Sequence, residues 1–150
     1  MRLVIYKLPY GEKVLYNLGQ LLEKLYKQKK IGIFCDQEII EMVDRTLWVF
    51  SSNAFLPHDI ANGTDKDGLQ PILLSADIAL INREIICVFN NTDLYKLMAE
   101  YVDNQKAMLV QDVIYMTQEE LNIDEIKEKT KIDIVDIFKK KNNNWSKVSM

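Results

Sequence analysis

The chain has 150 residues, 48% of them hydrophobic and 27% charged, with a formal net charge of −3. That length carries one domain with a sizeable core, and the composition is that of an ordinary soluble globular protein. An acidic balance argues against a main role in holding nucleic acid directly and leaves room only for a local basic patch.

Arg2-Leu3-Val4-Ile5-Tyr6-Lys7-Leu8 is short, apolar and rich in β-favouring residues, and Pro9-Tyr10-Gly11 punctuates its end. It reads as a first strand and is too short for a secretory signal. Leu15, Leu18, Leu22 and Leu25 then recur at spacings of three and four, one face of a helix. Lys24, Lys27 and Lys29 sit near its C-terminus, where cations suit the helix dipole. Ile31 to Cys35 is a continuous apolar run, as expected of a strand buried on both faces. Asp36 follows as an expected N-cap, and Ile39, Val43, Leu47 and Phe50 share the next helical face. Strand and helix alternate, which predicts an α/β fold: a single domain with a mainly parallel sheet flanked by helices.

Such folds often bind nucleotides after the first strand. Leu8-Pro9-Tyr10-Gly11-Glu12-Lys13 carries neither GxGxxG nor a glycine-rich loop ending in GK[ST], and the chain has five glycines in all. The expected shape is therefore Rossmann-like without a nucleotide site, and no cofactor is implied.

The stretch from Leu47 to Leu74 concentrates unusual residues. It holds Trp48, Phe55, two of the three prolines (Pro57 and Pro71) and the sole histidine, His58. Large apolar residues beside a rigid proline suit a docking surface better than a catalytic site. Trp48 and Phe55 fit a core position equally well, because aromatics dominate both settings. In the loop that follows, Asp65-Lys66-Asp67-Gly68 resembles part of a calcium loop. With Gly68 at the sixth position, Leu74 stands where the closing glutamate is needed, so the metal reading fails.

Gln70 to Leu74 reads as the third strand, and Asp77–Ile81 and Glu84–Phe89 as further strand material, with Asn82-Arg83 able to turn a hairpin. Asp77 interrupts the longest apolar run, Ile72 to Ile81, so no membrane span is expected. Asn91 or Thr92 can cap a helix whose inner face is Leu94, Leu97, Met98 and Tyr101. Ala107 to Leu121 has near-helical spacing, with a strand left open at its start. Asn122 to Phe138 reads as a charged amphipathic helix with a break near Thr130. Lys139-Lys140-Lys141-Asn142-Asn143-Asn144 reads as the start of a solvated tail. The expected division is an α/β core over 1–121 and a charged extension over 122–150, helical and then flexible. Cys35 and Cys87 each follow an apolar run and form no CxxC pair, so two buried free thiols and a reducing, cytoplasmic setting are expected.

Leu47-Trp48, then Phe55-Leu56-Pro57-His58, then a polar loop and Gln70-Pro71-Ile72-Leu73-Leu74, set in this order of elements, resemble the chi subunit family of bacterial DNA polymerase III. The resemblance in element order covers roughly residues 1–104, and the motif match is confined to 47–58 and 70–74. It implies a non-catalytic replication subunit with a nucleotide-binding-like fold that binds no nucleotide. It further implies two partners: the small psi subunit of the clamp loader, and the acidic C-terminal tail of single-stranded-DNA-binding protein. Direct nucleic-acid and membrane contacts are not implied, and the chain alone would be a monomer or half of a heterodimer. Carried over by residue, the psi contact would use Trp48, Phe55, Pro57 and His58. The second site departs from the family pattern, because no arginine follows Glu100-Tyr101-Val102-Asp103. Lys139, Lys140 and Lys141 form the one basic cluster of that region, and they are the expected substitute. Lysine supplies charge there without arginine's fork, and a flexible basic tail accounts for the same residues equally well.

Two other classes can be drawn from the same residues. An enzyme would have to assemble Cys35, His58 and Asp59, whose spacing gives no reason to converge. A regulatory receiver-like module would need acids at several strand ends, and Asp36 alone stands at one.

Overall fold

The computed structural model describes residues 1–51, 56–104, 107–132 and 135–148. Its single sheet has eight strands, all parallel to their neighbours except the last pair. The α/β, mainly parallel architecture follows from the alternation read in the sequence.

Strand β1 (Arg2–Lys7) buries Leu3, Val4 and Ile5, so both of its faces are covered. Helix α1 (Val14–Leu25) buries Leu18 and Leu22 from the leucine stripe. Gly19 lies where α1 meets the next helix. A Cβ there would stand 2.7 Å from the Phe50 ring, so glycine sets the depth of that packing. Strand β2 (Ile31–Phe34) is buried throughout, and helix α2 (Ile40–Val49) buries Val43 and Leu47. Asp36 does not cap α2. Its carboxylate accepts from the Glu38 N–H at 2.9 Å in a turn ahead of the helix.

Strand β3 (His58–Ile60) is three residues long, too short for a periodicity to reveal. A single 3-10 turn, Asp65–Leu69, leads to β4 (Ile72–Ser75). In that loop the Asp67 carboxylate accepts from the N–H of Asn62 (3.2 Å) and Gly63 (2.8 Å), so it closes a turn. Ile78–Ile81 is a second 3-10 turn, not strand, with Asp77 accepting from the Ala79 N–H at 3.0 Å. Strand β5 (Ile85–Val88) then runs parallel to β2, so Asn82-Arg83 turns no hairpin. Helix α3 (Asn91–Asp103) is capped by Asn90, one residue before the expected caps.

The region after α3 differs most from expectation. Residues 112–117 are strand β6 (Asp112–Thr117), buried from Val113 on, despite near-helical spacing. Helix α4 (Ile123–Thr130) forms as read, but Val135–Lys141 is strand β7 and Asn144–Lys147 is strand β8. Asn142 and Asn143, with φ of 51° and 64°, turn the chain between them. Two successive left-handed residues give the hairpin turn that asparagine tolerates and that matches strand twist. The triple lysine is thus the end of a strand and not the start of a tail.

The strand order is β3-β4-β2-β5-β6-β1-β7-β8. One core cluster unites α1 and α2 with one sheet face through Leu18, Leu22, Val43 and Leu47 against Ile33, Leu74 and Met116. The other unites α3 and α4 with the opposite face through Leu94, Leu97 and Ile126 against Leu3, Ile5 and Tyr115. Of the docking residues read from the sequence, Trp48, Pro57 and His58 consequently fall near β3, and Lys139, Lys140 and Lys141 on β7.

Candidate partner-docking surfaces

His58 opens β3 and points inward; its side chain has no exposure. Its Nδ1 lies 2.7 Å from the Leu56 carbonyl oxygen. Its Nε2 lies 3.1 Å from the Asp44 carbonyl oxygen and 3.1 Å from the Asp44 carboxylate. The imidazole thus ties the short edge strand to the middle of α2, and both of its nitrogens are used within the chain. Register explains the placement. His58 pairs with Ile72 and Ile72 with Ile31, so His58 sits at the start of the ladder beneath α2.

Trp48 stands over this histidine. The two ring centroids are 4.4 Å apart at a tilt of 45°, yet Trp48 remains 48% exposed. On α2, Leu47 faces the core and Trp48, one residue on, points about 100° away. The core reading of Trp48 is therefore replaced by a supported, half-exposed indole. Val49, at 74% exposure, and Met42, at 46%, share a different face of α2, about 100–120° round the helix from Trp48. Pro57 is half-buried beside His58. Phe55 lies outside the described residues.

Arg83, which the sequence reading passed over as turn material, is the hidden support of this half of the sheet. Its guanidinium is buried. Nη1 donates to the carbonyls of Gln70 (2.6 Å), Pro71 (3.1 Å) and Ile31 (3.2 Å), and Nη2 donates to that of Asp67 (2.8 Å). Desolvation pushes its pKa down from the ordinary arginine value. One side chain thus pins the β3–β4 loop to β2. No local pattern announces such a clamp, since all four acceptors are backbone groups remote in sequence.

At the far edge the three lysines separate. Strand alternation sends Lys140 to the α1 side and Lys139 and Lys141 to the other. Lys140 Nζ donates to Glu12 Oε2 (2.9 Å) and Asn17 Oδ1 (2.7 Å), and its side chain is only 10% exposed. Glu12 has its pKa lowered by that hydrogen bond to Lys140. Lys139 and Lys141 are exposed.

Cys35, His58 and Asp59 do not converge. His58 is level with Ile31, and Cys35 lies four residues further along the ladder, about 13 Å away along the strand direction alone. Burial pushes the Cys35 thiol up to about 12, a poor nucleophile. The Asp59 carboxylate accepts from the Ile60 N–H at 2.8 Å. Among the described residues no group of three or more His, Cys, Asp or Glu is placed to hold a metal ion, and no helix is long and apolar enough to cross a membrane.

Compared with known proteins, the chain matches a family model described as DNA polymerase III chi subunit, HolC, over residues 5–119. No curated protein matches it. The matched span runs from β1 through β6 and contains the whole Trp48–His58 surface.

Proposed function

The chain belongs to the DNA polymerase III chi subunit family, a non-catalytic accessory subunit of the polymerase holoenzyme, and from that premise we propose that it bridges two protein partners during replication. One is the psi subunit of the clamp loader, bound at the surface around Trp48, Phe55, Pro57 and His58. The other is the acidic tail of single-stranded-DNA-binding protein, bound near Lys139 and Lys141. Such a bridge would operate in the cytoplasm, where replication proceeds.

The observation that carries this reading is the half-exposed indole of Trp48 seated on a fully buried histidine. A large side chain held rigidly at the surface loses little entropy on binding, which is how aromatic hot spots gain affinity. His58 serves that surface from behind, by fixing the strand and the ring on which Trp48 rests. Pro57 limits the backbone next to it.

The second contact rests on less. Lys140 is already paired with Glu12, so the charge offered to an acidic tail comes from Lys139 and Lys141. The two surfaces stand near opposite edges of the sheet. Six strand spacings separate β3 from β7, about 29 Å, so two partners can bind together without collision. Two modest contacts joined in one particle raise effective concentration at the fork.

The test is calorimetric titration of psi into the wild type and Trp48→Ala. A loss of about thirtyfold in affinity, with an unchanged thermal midpoint, is the expected result. Equal affinity for both proteins would overturn the psi assignment. Titration with the acidic tail peptide into Lys139→Glu/Lys141→Glu tests the second surface in the same way.

A further inference from the structure

An open trough of about 750 Å³ separates the outer side of α1 from the β7–β8 hairpin. One wall carries Lys24, Lys27 and the amide of Gln20, and the other carries Lys140 and Asn143. Trp145 forms part of the lining. Its indole is not loose. It meets the Tyr6 ring edge-on at 5.0 Å, and Tyr6 stacks on Phe138 at 5.3 Å with 16° between planes. Glu23 is the acidic residue of the lining. Glu12, just behind, is committed to Lys140.

We infer that this trough binds single-stranded nucleic acid, with Trp145 as a stacking platform and Lys24 and Lys27 on the phosphates. The combination of a positively charged groove and a pre-set aromatic ring is what sequence-tolerant single-strand binding requires. Lys24 lies in the last turn of α1 and Lys27 in the turn that follows it; both are exposed and both line the trough. Trp145 gives a nucleobase a ring to stack on, which an acidic peptide does not require, and that favours a nucleic-acid strand. The net charge of −3 conceals this local balance, because the trough is lined by Lys24, Lys27 and Lys140 against Glu23. The site is independent of the tail-binding lysines, which point to the opposite face of β7.

Fluorescence anisotropy of a labelled twelve-nucleotide oligothymidylate with the full chain tests the assignment, at low salt and at physiological salt. Binding that weakens steeply with salt is expected. Lys24→Glu/Lys27→Glu, at exposed positions in the last turn of α1 and the turn after it, should weaken it roughly tenfold or more and flatten the salt dependence. Trp145→Ala should weaken it by about tenfold while retaining the salt slope. Lys96→Glu, on α3, should leave it unchanged. No binding by the wild type, or undiminished binding by Lys24→Glu/Lys27→Glu, would overturn the inference. So would an acidic peptide that binds in the trough where the oligonucleotide does not. Because Trp145→Ala touches the sheet edge, the double lysine variant decides the matter if that protein fails to fold.

Discussion

The two edges of the sheet are secured in opposite ways. Near β3, the holding groups are inside: Arg83 donates to four backbone carbonyls and His58 joins β3 to α2, both buried. Near β8, the holding groups are outside apart from Lys140, whose side chain is largely covered. Arg2 reaches Asp112 and Asp136, Lys147 reaches Asp136, and Lys140 reaches Glu12. A buried donor with several acceptors is expensive to remove, whereas a solvent-exposed ion pair contributes little. The first edge is thereby a rigid seat for a large apolar contact. The second leaves charge and ring surface on offer.

The most severe way to break this contrast is Arg83→Leu. It removes the donor shared by carbonyls of two segments, the Asp67–Pro71 stretch and β2, and unfolding in urea should show a loss of about 3–5 kcal/mol. His58→Ala comes next. It opens a small cavity and cuts the β3–α2 tie, for about 2–3 kcal/mol by the same measurement. Trp48→Ala should cost no more than about 1 kcal/mol, since half of the ring already faces water. A loss as large as that of His58→Ala would show that the indole is structural and not presented.

The smallest effect sharpens the other side. Lys140 holds the Glu12 pKa below its ordinary value of 4.5. A carboxylate with a lowered folded pKa contributes stability that is complete above its unfolded pKa and is lost as pH falls through the folded one. Acidification below pH 4.5 should therefore loosen the hairpin edge, seen as faster amide exchange at β7 and β8. In Lys140→Met that local pH dependence should vanish. An unchanged profile would mean that the pair does not anchor the hairpin.

Much of the first half of the fold was legible in the sequence. The leucine stripe of α1 and the continuous apolar run of β2 each follow a single period over enough residues to be unambiguous. The later strands were hidden for particular reasons. In 107–121, Val110, Val113, Ile114, Thr117 and Leu121 mimic a helical face, although the buried run Val113–Met116 is the real signal of a doubly covered strand. In 135–141 the alternation of Val135 and Ile137 with Asp136 is plain once isolated, but it follows directly on a charged helix. Asn142-Asn143 was the missed punctuation, a pair suited to a hairpin turn. Of the candidate surface, Trp48 and His58 were found by residue type, and the structure brings them together. Arg83 left no local trace.

The interior place of β1, between β6 and β7, sets a timetable for the chain as it is made. Its two neighbours, β6 and β7, pair Arg2 with Asp112 and Leu3 with Val135. At the usual pace of synthesis, about 5–20 residues per second, β1 waits roughly 5–20 s for its first partner and longer for its second. Until then Leu3, Val4 and Ile5 form an unpaired apolar strand on a nascent chain. The ribosome and its attendant chaperones, more than the finished core, must keep that strand from pairing with the wrong neighbour.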